Sequence, residues 1–211
     1  MSTTIKKESA CPQCGEGEIF TIISGINSEE NPELKEEILK ETLFDWKCKR
    51  CGYAAQMSYP MVFHDPKKGY MVALYRTGTK GNKIEVTPAI SGLVKRRVKN
   101  LSELKEKIMI FDAELDDVSV ELVKNAICTI IKKTYKNNKV KAYFSKVCSD
   151  GGLEFAIFLG GRSEPVYHAT KPEVYAQSAE VLRSLDFVEP NDFLRVGPTL
   201  AEGILEKYKS L

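Results

Sequence analysis

Residues 11–15 read C-P-Q-C-G and residues 48–52 read C-K-R-C-G. These two turns constrain the fold more than any other feature of the chain. A Cys-x-x-Cys turn presents two thiolates from one side, and two such turns brought together close a tetrahedral four-sulfur shell around a zinc ion. The glycine after each second cysteine, Gly15 and Gly52, can take a positive φ and curl the turn so that backbone N–H groups point at the sulfurs. The pattern predicts that Cys11, Cys14, Cys48 and Cys51 share one structural Zn²⁺, with a longer spacer between the pairs than in the shortest zinc ribbons. Four thiolates on Zn²⁺ leave a formal charge of about −2. Lys47, Lys49 and Arg50 are close enough in sequence to offset it.

The competing chemistry is redox. A thioredoxin-like pair sits at a helix N-terminus after a strand, where the dipole lowers a thiol pKa. Neither pair here directly precedes a helical pattern, and Glu16 and Glu18 oppose thiolate formation in the absence of a metal. A closed four-sulfur shell also leaves no position for water or substrate, which argues against metal catalysis. The other two cysteines, Cys128 and Cys148, stand alone. Free and paired thiols of this kind, with no disulfide framework, point to a reducing compartment and so to the cytoplasm. The first residues, MSTTIKKESACPQCG, lack the apolar core of a secretory signal, and no apolar run approaches the roughly 20 residues that span a bilayer. A net charge of +2 does not by itself demand a nucleic-acid or membrane partner.

Along the chain, E-I-F-T-I-I (18–23) reads as a strand, and Asn31-Pro32 opens a short helix whose apolar face is Leu34, Ile38, Leu39 and Leu43. Y-A-A-Q-M-S-Y (53–59) is a strand ended by Pro60. M-V-F-H-D and YMVALYR are joined by D-P-K-K-G, a hairpin signal. Lys83–Thr87 is a further expected strand. Asn100-x-x-Glu103 is a capping-box variant before Leu101, Leu104, Ile108, Phe111 and Leu115. Asp116 or Asp117 caps a second helix from about Val118 to about Tyr135, and the short connection implies an antiparallel helical hairpin. K-N-N-K at 136–139 marks a boundary. Beyond it lie two strands joined by S-D-G-G and a third strand V-Y-H-A. A helix from about Lys171 to about Ser184 follows the box Thr170-x-x-Glu173, and a last helix starts at Pro198. The fold class is α+β: a zinc-ribbon-like β module with an inserted helix, then the helical hairpin, together residues 8–135, followed by a small α+β domain over 139–211.

The run C-P-Q-C-G, I-N-S-E-E-N-P-E-L-K-E-E-I-L, L-F-D-W-K-C-K-R-C-G and Y-P-M-V-F-H-D-P resembles the CpXC family, a prokaryotic group named for its paired cysteines. The later L-S-E-L-K-E-K-I and I-F-D-A-E-L-D-D-V-S-V-E-L-V-K extend the resemblance to roughly residues 8–135. Lys49 stands where the family usually has proline, at a position that is not a ligand. The resemblance implies a zinc-ribbon-like module with a helix between its knuckles, and it implies no reaction.

Three functional readings follow. The first is a non-enzymatic zinc protein whose four-cysteine site staples an interaction module for a protein partner. The second is nucleic-acid binding. From Lys124 to Lys146 the chain has seven lysines and no acidic residue, with Tyr135 and Tyr143 among them, and Lys95-Arg96-Arg97-Val98-Lys99 forms another basic cluster. Against this, lysines also guard strand edges and solvate helix ends. The third is an enzyme using His64 and Asp65, since a histidine beside a carboxylate can act as a general base. The alternative is that Asp65 starts the D-P-K-K-G turn and His64 serves the backbone. His168 reads as structural or exposed, and Cys128 as a small core residue.

Overall fold

The computed structural model of the chain describes residues 3–75, 87–136 and 139–211. The fold is α+β, in two compact units. The first comprises residues up to Lys105 together with Pro190–Leu194, and the second comprises Glu106–Glu189 and Arg195–Leu211.

In the first unit, β1 (Thr3–Ala10) and β2 (Gly17–Asn27) pair antiparallel with Ala10 opposite Gly17, so the first cysteine pair forms the turn of their hairpin. Helix α1 (Pro32–Leu39) follows, with Pro32 in its first turn and Ile38 fully buried. Asn31 occupies the N-cap position, but its side chain does not cap the helix. Its amide instead donates to Glu33 Oε1 at 3.1 Å. Strands β3 (Asp45–Lys47) and β4 (Ala54–Gln56) form a separate two-stranded ribbon whose turn holds the second cysteine pair. Strands β5 (Met61–Asp65) and β6 (Tyr70–Leu74) form the expected hairpin, and β7 (Val94–Val98) runs parallel to β6. The five-stranded sheet has the order β1-β2-β5-β6-β7. Its centre is apolar: Phe63, Val72 and Ala73 have no exposed surface. Apart from Thr87, the expected strand Lys83–Thr87 lies outside the described residues.

Strand β7 corrects one reading of the sequence. Lys95 and Arg96, taken as part of a phosphate-facing cluster, are each 1% exposed. Lys95 Nζ donates to the carbonyls of Ile90, Ser91 and Leu93 at 3.0, 3.2 and 2.6 Å, so the ammonium closes the 3-10 turn Pro88–Ile90. A buried cation of this kind needs such acceptors in place of water.

Helix α2 (Leu101–Asp112) begins with Asn100 capping it, and the Glu103 side chain reaches back to the residue before the cap. Glu103 N donates to Asn100 Oδ1 at 2.9 Å, and Glu103 Oε2 accepts from Lys99 N at 2.9 Å. The division between the compact units falls inside this helix. The reason is packing. Helix α3 (Asp117–Tyr135), capped by Asp116 through Ser119 N at 2.6 Å, lays Val120, Val123 and Ile127 against β8 (Val140–Val147) and β9 (Leu153–Leu159). Ala142, Phe144, Phe155 and Ile157 complete that core. With β10 (Val166–Ala169) the strands form an antiparallel sheet of order β10-β9-β8. Helices α4 (Pro172–Ser184) and α5 (Pro198–Lys209) pack on α3. The expected box at Thr170 is not made. Lys171 is the N-cap, and Thr170 Oγ1 donates to Leu153 O on β9.

Candidate metal centre

The two cysteine turns are built alike. Cys11 N donates to Glu16 O and Cys48 N donates to Tyr53 O, both at 2.8 Å; Gly15 N donates to Cys11 O at 2.9 Å and Gly52 N to Cys48 O at 3.0 Å. Gly15 has φ +72° and Gly52 φ +74°, the left-handed region in which a side chain is disfavoured. Each turn therefore projects its two sulfurs to one side, as the glycine spacing predicts.

The two turns face each other. Cys11 Sγ lies 3.7 Å from Cys51 Sγ, and Cys14 Sγ lies 3.7 Å from Cys48 Sγ. All four sulfurs fall within 4.8 Å of one another. A tetrahedron with bonds of about 2.3 Å has edges of about 3.8 Å, so the closest approaches match a shared metal ion. They are far longer than the roughly 2.05 Å of a disulfide. Among the described residues this is the one cluster of ligand side chains able to hold a metal ion.

The electrostatics agree. Burial pushes the Cys11 thiol up, but the backbone N–H groups of Cys14 and Gln13 and the neighbouring sulfurs outweigh it and bring it down to about 7. For Cys14 the Glu16 N–H acts downward, yet desolvation and the surrounding sulfurs drive it up to about 12. The Tyr53 N–H favours the Cys51 thiolate, but burial and the Cys48 and Cys11 sulfurs leave that thiol raised.

Carboxylates bolt the two turns together. Glu18, on β2, accepts from Lys49 N at 3.0 Å through Oε1 and from Trp46 Nε1 at 3.2 Å through Oε2. Glu16 pairs with Arg50 at 2.7 Å. These two acids, which oppose thiolate formation by their charge, also serve the centre as hydrogen-bond acceptors, and their alternation after the first knuckle is the sequence signal of that role. Trp46 also packs on Phe20, with centroids 5.2 Å apart, and on Tyr53 at 6.3 Å.

The CpXC protein family model matches residues 10–124, more than half of the chain. The chain belongs to the CpXC family. No curated protein and no solved structure matches it. The family match takes in both cysteine pairs and crosses the division between the compact units, ending within α3.

Of the other CpXC-protein candidates, His64 and Asp65 do not form a pair. They alternate along β5, Asp65 buried and His64 half-buried, so their side chains leave opposite faces. Asp65 Oδ1 accepts from Lys68 N at 3.1 Å, making the D-P-K-K-G turn, and Oδ2 meets Lys35 Nζ at 3.3 Å, tying β5 to α1. Burial raises the Asp65 carboxyl, but the Lys68 N–H and the Lys35 ammonium outweigh it and hold it below its usual value. Burial lowers His64, against the pull of Asp65 and Glu29, and its Nε2 is buried with no hydrogen-bond partner among the described residues. Lys124, counted in the lysine-rich stretch, is not a surface residue. Its ammonium lies between Glu106 Oε2 at 2.9 Å and Glu121 Oε2 at 3.0 Å. His168 is exposed on β10, and Cys128 is half-buried against the core of the second unit. No helix among the described residues is long and apolar enough to cross a membrane.

Proposed function

We propose that Cys11, Cys14, Cys48 and Cys51 bind one Zn²⁺ as a closed structural shell, and that the β module it staples is a docking platform for a protein partner in the cytoplasm. The observation that carries the zinc reading is the pair of 3.7 Å sulfur approaches made between turns rather than within them. A metal there links the β1–β2 hairpin to the β3–β4 ribbon, which belong to different sheets. A four-thiolate donor set suits Zn²⁺, which contributes folding energy at such sites. The chain's own part is to hold the thiolates in register through the two glycine turns and the Glu18 and Glu16 bonds.

The protein-partner reading rests on a cleft of about 480 Å³ beside the centre, lined by Phe20, Phe44, Trp46, Met57 and Tyr59 and flanked by Asp45, Lys47 and Lys49. Half-buried aromatic side chains at Phe20, Trp46 and Tyr59, with mixed charge at the rim, suit a protein interface.

Metal analysis of protein purified under reducing conditions tests the zinc reading. The expected result is about one zinc per chain, lost in Cys11→Ser and Cys48→Ser together with the fold of the module. A metal-free protein in which both variants fold normally would refute it. Affinity capture with nuclease treatment tests the partner. A protein retained by wild type and lost with Trp46→Ala supports the platform, and capture that survives that change refutes it.

A further inference from the structure

The second unit carries a surface that the metal centre does not account for. In β8 and β9, Ala142, Phe144, Phe155 and Ile157 point into the core against α3. Strand alternation therefore sends Lys141, Tyr143, Ala156 and Phe158 to the opposite face. The register lines up Tyr143, Ala156 and Tyr167 across the three strands, and sets Lys141 opposite Phe158. Tyr167 is 60% exposed and Phe158 is 38% exposed. Tyr143 and Phe158 meet edge to face, with centroids 5.8 Å apart. Strands about 4.8 Å apart put Tyr143 and Tyr167 roughly 10 Å from each other, with Phe158 beside the row.

The charge around these rings is one-sided. From residue 132 to residue 162 there are seven lysines and arginines against two acidic residues, Asp150 and Glu154. Lys139, Lys141 and Arg162 are exposed at the Phe158 end of the sheet, where Gly160 N donates to Lys139 O. Glu154, on the same face toward the other end, lies 3.6 Å from Lys146.

We propose that this open sheet face binds single-stranded nucleic acid, with Phe158 and Tyr167 stacking on bases and Lys139, Lys141 and Arg162 meeting phosphates. Aromatic side chains on a sheet surface stack unpaired bases, and a basic groove beside them tracks the backbone. A duplex, with its bases already stacked, could not use the aromatic rings. The proposal uses neither the cysteine shell nor the Trp46 cleft, so it stands or falls separately from the platform reading.

Fluorescence anisotropy of the 211-residue chain with labelled oligo(dT) and oligo(rU) of about ten nucleotides, and with a duplex of equal length, tests it. Single strands should bind and the duplex should bind at least tenfold more weakly. With about three or four phosphate contacts, affinity should fall roughly 20- to 50-fold between about 50 mM and about 200 mM salt. Phe158→Ala/Tyr167→Ala and Lys139→Glu/Lys141→Glu should each weaken binding tenfold or more, while Lys6→Glu/Lys7→Glu on the exposed strand β1 should not. If the Phe158/Tyr167 variant loses its fold, Tyr167→Ala alone replaces it. No binding at low salt overturns the proposal, as does duplex binding equal to single-strand binding. So does an equal loss in the Lys6/Lys7 variant, or capture of a protein through Phe158 and Tyr167 in place of nucleic acid.

Discussion

Trp46 donates its indole N–H to Glu18 Oε2 at 3.2 Å, across the gap between the two cysteine turns. It is the chain's single tryptophan, so its fluorescence reports this junction without interference. Removing the metal should free β3–β4 from β2, break this bond and separate Trp46 from Phe20. A strong chelator under reducing conditions should therefore shift the emission to longer wavelength, and adding back Zn²⁺ should reverse the shift. Glu18→Ala should cost about 1.5–3 kcal/mol through loss of charge-assisted bonds, and should speed metal release. Emission that is indifferent to chelation would show that the metal does not hold the two turns together.

Gly15 and Gly52 make the next prediction because their strain can be separated from crowding. A side chain at Gly15 would meet no atom within 4 Å, and one at Gly52 would meet only Lys47 Cε at 3.8 Å. The cost of Gly15→Ala or Gly52→Ala is therefore the left-handed backbone alone, about 1–2 kcal/mol each. Both variants should still bind zinc but with weaker affinity in competition against a chromophoric chelator. Asparagine, which tolerates this region better, should fall between alanine and wild type. Equal affinity for all three residues would mean that the turns do not need the positive φ.

Much of this centre was legible in the chain because its signals are local. The Cys-x-x-Cys-Gly spacing, the D-P-K-K-G hairpin and the Asn100 cap each depend on a few consecutive residues, and each appears in the structure. What was hidden depends on distant partners. Strand β1 is exposed along its whole length, so T-T-I-K-K-E-S-A shows no alternation to betray it. Strand β7, V-K-R-R-V, looks like a surface cluster because charged residues are seldom buried, yet carbonyls from the preceding turn accept the Lys95 ammonium. The division inside α2 arises from α3 packing on β8 and β9 across the K-N-N-K segment, a contact that no local pattern records. The meeting of the two turns followed from ligand chemistry; the Glu18 bridge required the fold.

Asp65 predicts a pH dependence. Its folded pKa lies below the ordinary value of 3.8, so its contribution is complete above that value and is lost as the pH falls through the lowered one. Asp65→Asn removes the charge facing Lys35 but keeps an acceptor for Lys68 N. The variant should lose about 1–3 kcal/mol at neutral pH, and the difference from wild type should shrink in acid. Asp65→Ala, which also removes the turn bond, should lose more. Urea midpoints at pH about 7 and pH about 3 check both. A gap between Asp65→Asn and wild type that stays constant with pH would contradict the ion pair.

Lys124 gives the most demanding prediction for the second unit. Burial acts to lower its ammonium, but Glu106 and Glu121 outweigh that and hold it above its usual value. Its contribution is thus present in full below the ordinary lysine pKa near 10.5 and is lost only as pH rises through the raised value. Glu106 also accepts Phe144 N at 2.7 Å through its other oxygen, so the ammonium helps fix α2 against the edge of β8. Lys124→Met leaves two buried carboxylates facing each other and should cost about 3–5 kcal/mol at neutral pH. Lys124→Met/Glu121→Gln, with a single carboxylate left, should be more stable at neutral pH than Lys124→Met alone. If the double variant is instead the less stable, the two glutamates do not repel across the lysine's position, and the cluster is held by hydrogen bonds rather than by charge.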